Sequence, residues 1–282
     1  THFRARHCMP GVWRCGTLQA ARRWLGSRPC RQTSRNCWNP CVPEFILPDW
    51  PAPAGVRALS TTRGGGASAP PWQGFNLGDH VGDEPRAVAA NRAELRRQLP
   101  AEPVWLSQVH GIRCVDAALA KPGAQADASF TRQRGVVCAI LTADCLPVLL
   151  CDQRATVVGV AHAGWRGLAA GVVEATVAAM GEPGDRLMAW LGPAIGAQAF
   201  EVGGEVRELF LAGDAAAADA FLPAAGGKWM CDIYRLARLR LQALGIRRIA
   251  GADFCTVNDA QRWFSHRRDG VSGRMASLVW LE

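Results

Sequence analysis

The feature of the sequence that most constrains the fold is the apolar run GVVCAILTADCLPVLLCD, at positions 135–152. Such a run is typical of strands that are buried on both faces of a sheet. It is interrupted by a carboxylate and a thiol, Asp144 and Cys145. Neighbouring residues of a strand point to opposite faces, so both side chains can lie inside only if the strand ends or twists there. Pro147 favours an ending, and the run therefore predicts one or two buried strands with a polar break.

Around this run, strands and helices alternate irregularly from Glu44 onward. The predicted strands and strand-to-loop segments are GVRALSTTRGGGAS, PVWLSQVHG, TVVGVAHAGWRG, RLMAWLGPAIG, IAGADFCTVND and MASLVWL; the predicted helices are DEPRAVAANRAELRRQL, LAAGVVEATVAAM and CDIYRLARLRLQALGI. Asp83 is the predicted N-cap of the first helix, and Pro85 lies in its first turn. An irregular order of elements favours one mixed α/β domain over a strict βαβ repeat.

Composition narrows the class of protein. Hydrophobic residues make up 49% and charged residues 20% of the 282, which is the balance of a globular protein with a sizeable core. No apolar run approaches the roughly 20 residues that a membrane-spanning helix needs. We therefore expect no membrane association. We also expect a monomer or a weak homo-oligomer.

The net charge of +8 belongs to one segment. Residues 1–43 contain eight of the 32 basic residues and no Asp or Glu, so the remaining 24 basic residues balance the 24 acidic ones. The rest of the chain gives no electrostatic case for nucleic acid. The same segment holds five of the eleven Cys, without paired C-x-x-C spacing.

We predict that residues 1–43 are a basic, Cys-rich extension, either disordered or spurious, outside the domain at 44–282. A transit-like peptide and an interaction arm are the alternatives. A secretory signal is not, because the segment lacks the apolar core that such a signal requires. The six other Cys lie mostly in apolar runs, as free thiols do in a reducing compartment. We therefore expect a cytoplasmic location.

Three polar residues interrupt apolar segments in a way that suggests chemistry: His110 in SQVHG, Cys145 in TADCLP and His162 in VAHAGWRG. Two imidazoles and a thiolate are a sufficient ligand set for a catalytic zinc with an open fourth position. Their separations are too long for a local finger and suit ligands delivered from different strand ends. Two other interpretations stay open, namely a buried Cys with two core histidines, and a Cys–His nucleophile pair without metal.

Other residues are candidates for binding an anion or a substrate. In STTRGGGAS, Arg63 and the following glycines could form a phosphate cradle or a simple hairpin turn. Arg166 follows His162 by four residues and could supply a second anion contact. Asn76 lies in the glycine-rich turn FNLGDHVGD, and Asp144 could either orient a ligand histidine or cap backbone amides.

A basic turn near the C-terminus, WFSHRRDGVSGRMAS, could be a substrate clamp or a solvated surface loop.

Taken together, these segments resemble one family. TTRGGG, FNLGDHVGD, SQVHG, LTADCLPVLL, AHAGWRG, LGPAIG, FEVGGEV and FSHRRDGVSGRMASLVWL occur in the order seen in laccase-domain proteins. These have been described as multicopper polyphenol oxidases and as purine nucleoside phosphorylases, and bacterial members are also called peptidoglycan editing factors. The resemblance covers about residues 45–282. The chain departs from the family pattern at Gln198–Ala199–Phe200, which bears on substrate preference.

The resemblance implies an α/β fold with sheets layered between helices (α/β/β/α), and a zinc pocket made by His110, Cys145 and His162. It also implies phosphorolysis of adenosine, inosine, guanosine or S-methyl-5'-thioadenosine, with inorganic phosphate as co-substrate and adenosine deamination as a second activity. Phosphate and substrate would be held by Arg63, Asn76, Asp144 and Arg166.

Two alternative functions remain at the sequence level. A copper-dependent polyphenol oxidase would need many imidazoles, but only four His follow residue 43. A hydrolase that edits peptidoglycan precursors could use Cys145 with His162 or His110 as its base.

Overall fold

The computed structural model describes residues 43–282, so the predicted extension lies outside the described residues except for Pro43. The described strands are β1 (Phe45–Ile46), β2 (Val56–Thr61), β3 (Cys114–Asp116), β4 (Ala128–Thr131), β5 (Val137–Thr142), β6 (Leu146–Asp152), β7 (Val158–Ala163), β8 (Leu187–Leu191), β9 (Glu201–Val202), β10 (Phe221–Pro223), β11 (Trp229–Cys231), β12 (Arg248–Gly251) and β13 (Met275–Leu281). The α-helices are α1 (Pro85–Arg96), α2 (Trp165–Ala170), α3 (Val172–Met180), α4 (Gly204–Gly213), α5 (Ile233–Ala243) and α6 (His266–Asp269). None of these helices is long and apolar enough to cross a membrane.

Two large sheets and one small sheet make up the β structure. The six-stranded sheet has the order β12-β8-β6-β7-β4-β3, and the four-stranded sheet has the order β1-β2-β13-β5. Pairing is antiparallel except between β12 and β8 and between β3 and β4. A third sheet of order β10-β11-β9, short and outside the two main layers, was not predicted.

The apolar side chains divide the molecule into layers. One buried cluster draws on both large sheets, including Cys138 of β5, Val160 of β7 and Val279 of β13, so it lies between them. The other face of the six-stranded sheet packs against α3 and α5, and the other face of the four-stranded sheet packs against Leu95 of α1. The predicted mixed α/β fold is confirmed, and its layers follow the order helix, sheet, sheet, helix.

The interrupted run marks the crossing from one layer to the other. β5 belongs to the four-stranded sheet and β6 to the six-stranded sheet, and Ala143, Asp144 and Cys145 join them. Asp144 has a φ of 84°, in the left-handed region that Asp and Asn tolerate better than most residues. The predicted break is therefore the corner at which the chain changes sheets.

One predicted strand is wrong. The segment PVWLSQVHG makes only isolated bridges, from Val104 and Ser107, and so is extended without being a strand. The side-chain amide of Gln108 takes the place of a backbone ladder, since it donates to Leu141 O (2.8 Å) and accepts from Leu141 N (2.7 Å). His110 consequently lies in a loop tied to β5.

The helix predicted over LAAGVVEATVAAM is divided into α2 and α3 at Gly171, where φ is 102°. A left-handed glycine ends one helix and lets the next begin in a new direction. The predicted N-cap of α1 is displaced by one residue, because Glu84 is the N-cap, while Pro85 begins the helix as expected.

Candidate functional site

One end of the six-stranded sheet collects the residues of the candidate site. β7 is antiparallel to both β4 and β6, so the end of β7 lies beside the beginnings of the other two strands. His162 is near the end of β7, and Cys145 immediately precedes β6. Two of the three predicted ligands therefore come from strand ends, as expected, and His110 reaches the same place from its loop.

The three predicted ligands meet. One donor atom from each of His110, Cys145 and His162 lies within 4.8 Å of the others. Cys145 Sγ is 3.7 Å from His110 Nε2, and the two imidazole rings meet edge to face with centroids 4.7 Å apart. In a tetrahedral zinc site, metal–ligand bonds of about 2.0–2.3 Å separate neighbouring ligand atoms by roughly 3.3–3.8 Å. The donor types and spacing therefore fit a transition-metal ion.

Gly164 makes this close approach possible. A Cβ atom at this position would lie 2.9 Å from Cys145 Sγ and 2.9 Å from His110 Cδ2. Real Cβ atoms do not tolerate contacts this short, so any other residue would push the ligands apart. The glycine of the HAGWRG motif thus leaves the space in which thiol and imidazole meet.

Asp127, which the sequence analysis did not single out, hydrogen-bonds to two of the three candidate ligand residues. It is fully buried immediately before β4, and its Oδ1 accepts a 2.9 Å hydrogen bond from His162 Nδ1. Its two oxygens also accept the backbone N–H groups of Val109, His110 and Gly111 at 2.7–3.1 Å. The carboxylate that supports a candidate ligand histidine is therefore Asp127, whereas one interpretation of the sequence gave this role to Asp144.

Electrostatics within the site favour charged forms of the thiol and the imidazole. Burial alone raises the pKa of Cys145, but the charge of His162 and the hydrogen bond from His110 outweigh burial and lower the pKa to about 6. Burial alone lowers the pKa of His162, but the Cys145 charge and the hydrogen bond to Asp127 raise the pKa to about 9. At neutral pH the metal-free site is therefore a thiolate–imidazolium pair.

A cleft opens beside Cys145. Most of its lining side chains are apolar or aromatic, and α6 contributes charged groups. The lining residues are Ala143, Asp144, Cys145, Trp165, Ile195, Phe200, Ile233, His266 and Arg267. Its volume of about 150 Å³ is roughly ten times what one water molecule requires. Apolar walls with a few polar groups at one end are typical of small-molecule sites.

The two arginines predicted to bind an anion, Arg63 and Arg166, differ in how many contacts their guanidinium groups make within the protein. Arg63 donates to Ala260 O (3.1 Å) and Gln73 O (3.2 Å) and stacks on Phe264, so its guanidinium ties loops together. Arg166 is exposed, with its guanidinium 4.5 Å from the Trp165 ring, and it makes no side-chain hydrogen bond to the described part of the chain. The Arg63 guanidinium is thus partly used by loop carbonyls, whereas that of Arg166, next to the cleft residue Trp165 in sequence, makes no such bond within residues 43–282.

Asn76 and Asp144 are committed to other contacts within the protein. The Asn76 amide donates to Gly78 O and Asp83 Oδ2 and accepts from the backbone N–H groups of Gly78 and Arg274. All four of its hydrogen-bonding positions are thus used. This geometry argues against a phosphate contact by Asn76 and gives it a loop-holding role.

The Asp144 carboxylate accepts from Thr256 Oγ1 (2.6 Å), Ser265 Oγ (3.1 Å) and Arg267 N (2.7 Å). Of the two interpretations open for Asp144, these bonds match capping of backbone amides, although the amide lies far along the chain. A negative group with three donors already bound is also a poor phosphate ligand.

Asp127 and Gly164 were missed because their roles depend on register. Asp127 is near His162 only because β4 pairs with β7, with Ala128 opposite Ala161. Gly164 gives a weak signal, the glycine two residues after His162 at the end of an apolar run. Nothing local in the sequence distinguishes either one from an ordinary turn residue.

Comparison with known proteins assigns the family. A family model described as multi-copper polyphenol oxidoreductase laccase matches residues 57–282. This chain belongs to that laccase-like family. It is 56% identical over 239 residues to a protein of Pseudomonas aeruginosa named purine nucleoside phosphorylase, covering 84% of this chain and 98% of that one.

A second relative, purine nucleoside phosphorylase YfiH of Escherichia coli, is 52% identical over 242 residues, covering 84% of this chain and 99% of its own. A Neisseria meningitidis protein of known crystal structure superposes with a TM-score of 0.82 at 50% identity, over 84% of this chain and 99% of that one. The resemblance inferred from the motifs is confirmed, and the relatives' names support an enzyme of the purine nucleoside phosphorylase kind.

Proposed function

We propose that this protein is a zinc-dependent purine nucleoside phosphorylase that accepts adenosine, inosine, guanosine and S-methyl-5'-thioadenosine and also deaminates adenosine. The observation that carries the proposal is the His110–Cys145–His162 cluster, whose Cys145 lines a cleft with apolar and aromatic walls. The names of relatives that share about half of the sequence supply the substrate class. The partners are then small nucleosides and phosphate, in a cytoplasmic enzyme.

The cleft suits a purine nucleoside. The faces of Trp165 and Phe200 can stack on the flat base, as aromatic side chains do with other rings. Ile195 and Ile233 exclude water from it, which favours phosphate over water as the attacking group. The base would lie against the aromatic walls with the ribose towards Cys145.

Phosphate needs a cation, and Arg166 and Arg267 are the best placed. Arg166 has free donors, and Arg267 lines the cleft with its guanidinium 5.4 Å from the Phe200 ring. In phosphorolysis a phosphate oxygen forms a bond to the ribose anomeric carbon while the bond to the base breaks, giving free base and ribose 1-phosphate. Holding the anion against that carbon supplies most of what positioning can contribute.

His110, Cys145 and His162 would hold the zinc ion, which would act as a Lewis acid and lower the pKa of a water molecule bound to it. A multicopper oxidase instead requires several copper sites. Within residues 43–282 only one group of three ligand side chains comes together, which favours a single catalytic zinc.

The test is a nucleoside panel incubated with and without phosphate, with products identified by mass spectrometry and metal content measured in parallel. We expect free base and ribose 1-phosphate only with phosphate, and inosine from adenosine without it. Cys145→Ala should abolish both reactions and zinc binding. Cys151→Ala removes a thiol from the far end of β6 and should retain all three properties. Full turnover by Cys145→Ala would contradict the proposal.

A second candidate, a thiol hydrolase acting on peptidoglycan precursors, is favoured by one observation. The thiolate of Cys145, the imidazole of His162 and the carboxylate of Asp127 follow one another as in a Cys–His–Asp triad. Treatment with a chelator separates the two candidates, because a metal-dependent enzyme loses its activity and a thiol hydrolase keeps it. Hydrolysis of a precursor that survives chelation but not alkylation of Cys145 would select the hydrolase.

A further inference from the structure

The carboxylate of Asp127 is fully buried and accepts four N–H groups. Oδ1 accepts from His110 N (2.8 Å) and His162 Nδ1 (2.9 Å), and Oδ2 accepts from Val109 N (3.1 Å) and Gly111 N (2.7 Å). Its backbone carbonyl also accepts from His162 N at 2.7 Å. Two of the three proposed ligands are therefore hydrogen-bonded to one residue that does not line the cleft.

These contacts leave Asp127 no capacity for a role of its own in the reaction. A carboxylate offers about four lone-pair positions, and here each oxygen already has two donors. Asp127 therefore does not bind substrate or metal. Whatever it contributes must act through the two histidines.

The contact with His162 fixes which ring nitrogen is free. Because Nδ1 is held as the donor to a carboxylate, Nε2 is the ring nitrogen left for Cys145 and for a metal ion, to which it would offer its lone pair after losing its proton. The same bond fixes the ring orientation and increases the basicity of the imidazole as a ligand.

The contact with His110 acts through the backbone. His110 has a φ of 60°, in the left-handed region that is unfavourable for a residue with a side chain. The N–H groups of residues 109–111 all converge on Asp127, and this conformation is what allows them to do so. The exposed His110 ring, which otherwise contacts Cys145 and the edge of His162, is therefore positioned through its backbone.

We propose that Asp127 is the positioning residue of the site, a single carboxylate that pre-orients both histidines for one metal ion. The inference rests on the proposed metal role of His110, Cys145 and His162. It predicts that Asp127 governs metal affinity although it is not a ligand.

The test compares zinc affinity in three full-length proteins: the natural one, Asp127→Asn and Asp152→Asn. Asparagine keeps the shape of the side chain but has one oxygen, so at most two of the four donors remain paired. Asp152 is a matched control, since it is 1% exposed and also accepts three backbone N–H groups and one side-chain donor. It lies at the other end of β6, roughly 20 Å from Cys145.

Zinc affinity is measured by competition with a chromophoric chelator, and coordination by the visible spectrum of the cobalt-loaded protein. We expect Asp127→Asn to bind zinc about 10- to 100-fold more weakly and to show an altered cobalt spectrum. Asp152→Asn should keep the natural affinity and spectrum even if it is less stable. If Asp127→Asn does not fold by circular dichroism, Asp127→Glu replaces it, because it retains both oxygens but displaces them by about one bond length, and the same weakening is expected.

The inference is overturned if a folded Asp127 variant binds zinc as tightly as the natural protein, or if Asp152→Asn weakens zinc binding equally. It is also overturned if the natural protein binds no zinc. A natural protein whose zinc affinity depends on Asp127, but which does not cleave nucleosides, would contradict only the proposed function.

Discussion

Cys145 has a thiol whose pKa is lowered by its neighbours in the candidate site. His162 and His110 stabilise its thiolate strongly enough to overcome burial, and they lower its pKa to about 6. Elsewhere in the described chain burial acts without such partners, and it raises the pKa values of Cys114, Cys138 and Cys231 to about 12. At neutral pH Cys145 is therefore a thiolate, whereas these three are neutral thiols.

This difference predicts a pH profile for alkylation of the metal-depleted protein. Only the thiolate reacts, so a depressed pKa extends reactivity to lower pH. The rate of iodoacetamide modification of Cys145, followed by peptide mass spectrometry, should rise with pH and reach half its plateau near pH 6. His162→Asn removes the main stabilising charge and should move the midpoint upwards. A midpoint near 8.5, the value of an ordinary thiol, would contradict the assignment.

A second prediction at this scale concerns Gly164. In Gly164→Ala the new methyl group would meet Cys145 Sγ and His110 Cδ2 at 2.9 Å, so the ligands must separate. We expect zinc affinity and turnover to fall at least tenfold. Gly204→Ala is the control, since a Cβ there meets nothing within 4 Å at the beginning of α4. Its effect on both quantities should be negligible, and equal losses in the two variants would contradict the steric argument.

At the scale of residues, the sequence predicts the candidate ligand side chains better than the residues that hold them in place. His110, Cys145 and His162 were identifiable because each is a reactive residue type at an interruption of an apolar segment. Arg63 and Asn76 had the right chemistry too, but their polar atoms are satisfied by loop carbonyls and amides that only the folded chain brings near. Whether a polar side chain is free is decided by its neighbours in space.

At the scale of elements, the corner between β5 and β6 supplies Cys145 to the candidate site and Asp144 to the cleft wall. Asp144 in this corner binds Thr256, Ser265 and Arg267, and its carbonyl accepts from Ile195 N at 3.0 Å. The segment with His266 and Arg267, which line the cleft, is thus held to the strand that delivers Cys145. The basic turn noted in the sequence is anchored by a carboxylate more than 120 positions earlier.

Asp144→Asn tests this anchor. Asparagine tolerates positive φ as aspartate does, but its amide N–H₂ would point at a group that is itself a hydrogen-bond donor. A buried donor that is left without an acceptor costs about 1–3 kcal/mol. We expect the free energy of unfolding to fall by that amount and trypsin to cleave faster after Arg267 and Arg268. KM should rise more than kcat falls.

The control for this anchor is Asp269→Asn, because Asp269 lies in the same helix, α6, is exposed and bonds only to its neighbour Arg268. It should leave stability, cleavage rate and KM nearly unchanged. Equal proteolysis in the two variants would show that Asp144 does not hold the segment.

The elements that were predictable are those with a complete local pattern. The apolar run and its polar break gave two strands and their junction, and the amphipathic pattern before Gly245 gave α5. PVWLSQVHG has a strand-like composition, but the Gln108 side chain competes for the backbone of Leu141. That competition involves residues 33 positions apart, so no local pattern records it.

At the scale of the whole molecule, every residue assigned to the site lies within residues 43–282 and within the family match at 57–282. The basic excess lies outside that range, in a segment with eight Arg and no acidic residue. Layering follows from composition, because two sheets that are apolar on both faces must be covered by helices on the outside. Charge and catalysis are therefore expected to be separable parts of the chain.

Deleting residues 1–42 tests this separation. The net charge should fall from +8 to about zero, since the remaining basic and acidic residues balance. We expect kcat/KM for nucleosides and zinc content to be unchanged, whereas retention on heparin at low salt, which depends on positive charge, should be lost. A full-length variant with the eight Arg replaced by Gln should behave like the deletion, because it keeps the length and removes the charge. A tenfold loss of kcat/KM in the deletion but not in the Gln variant would show that the segment contributes to the enzyme through something other than its charge.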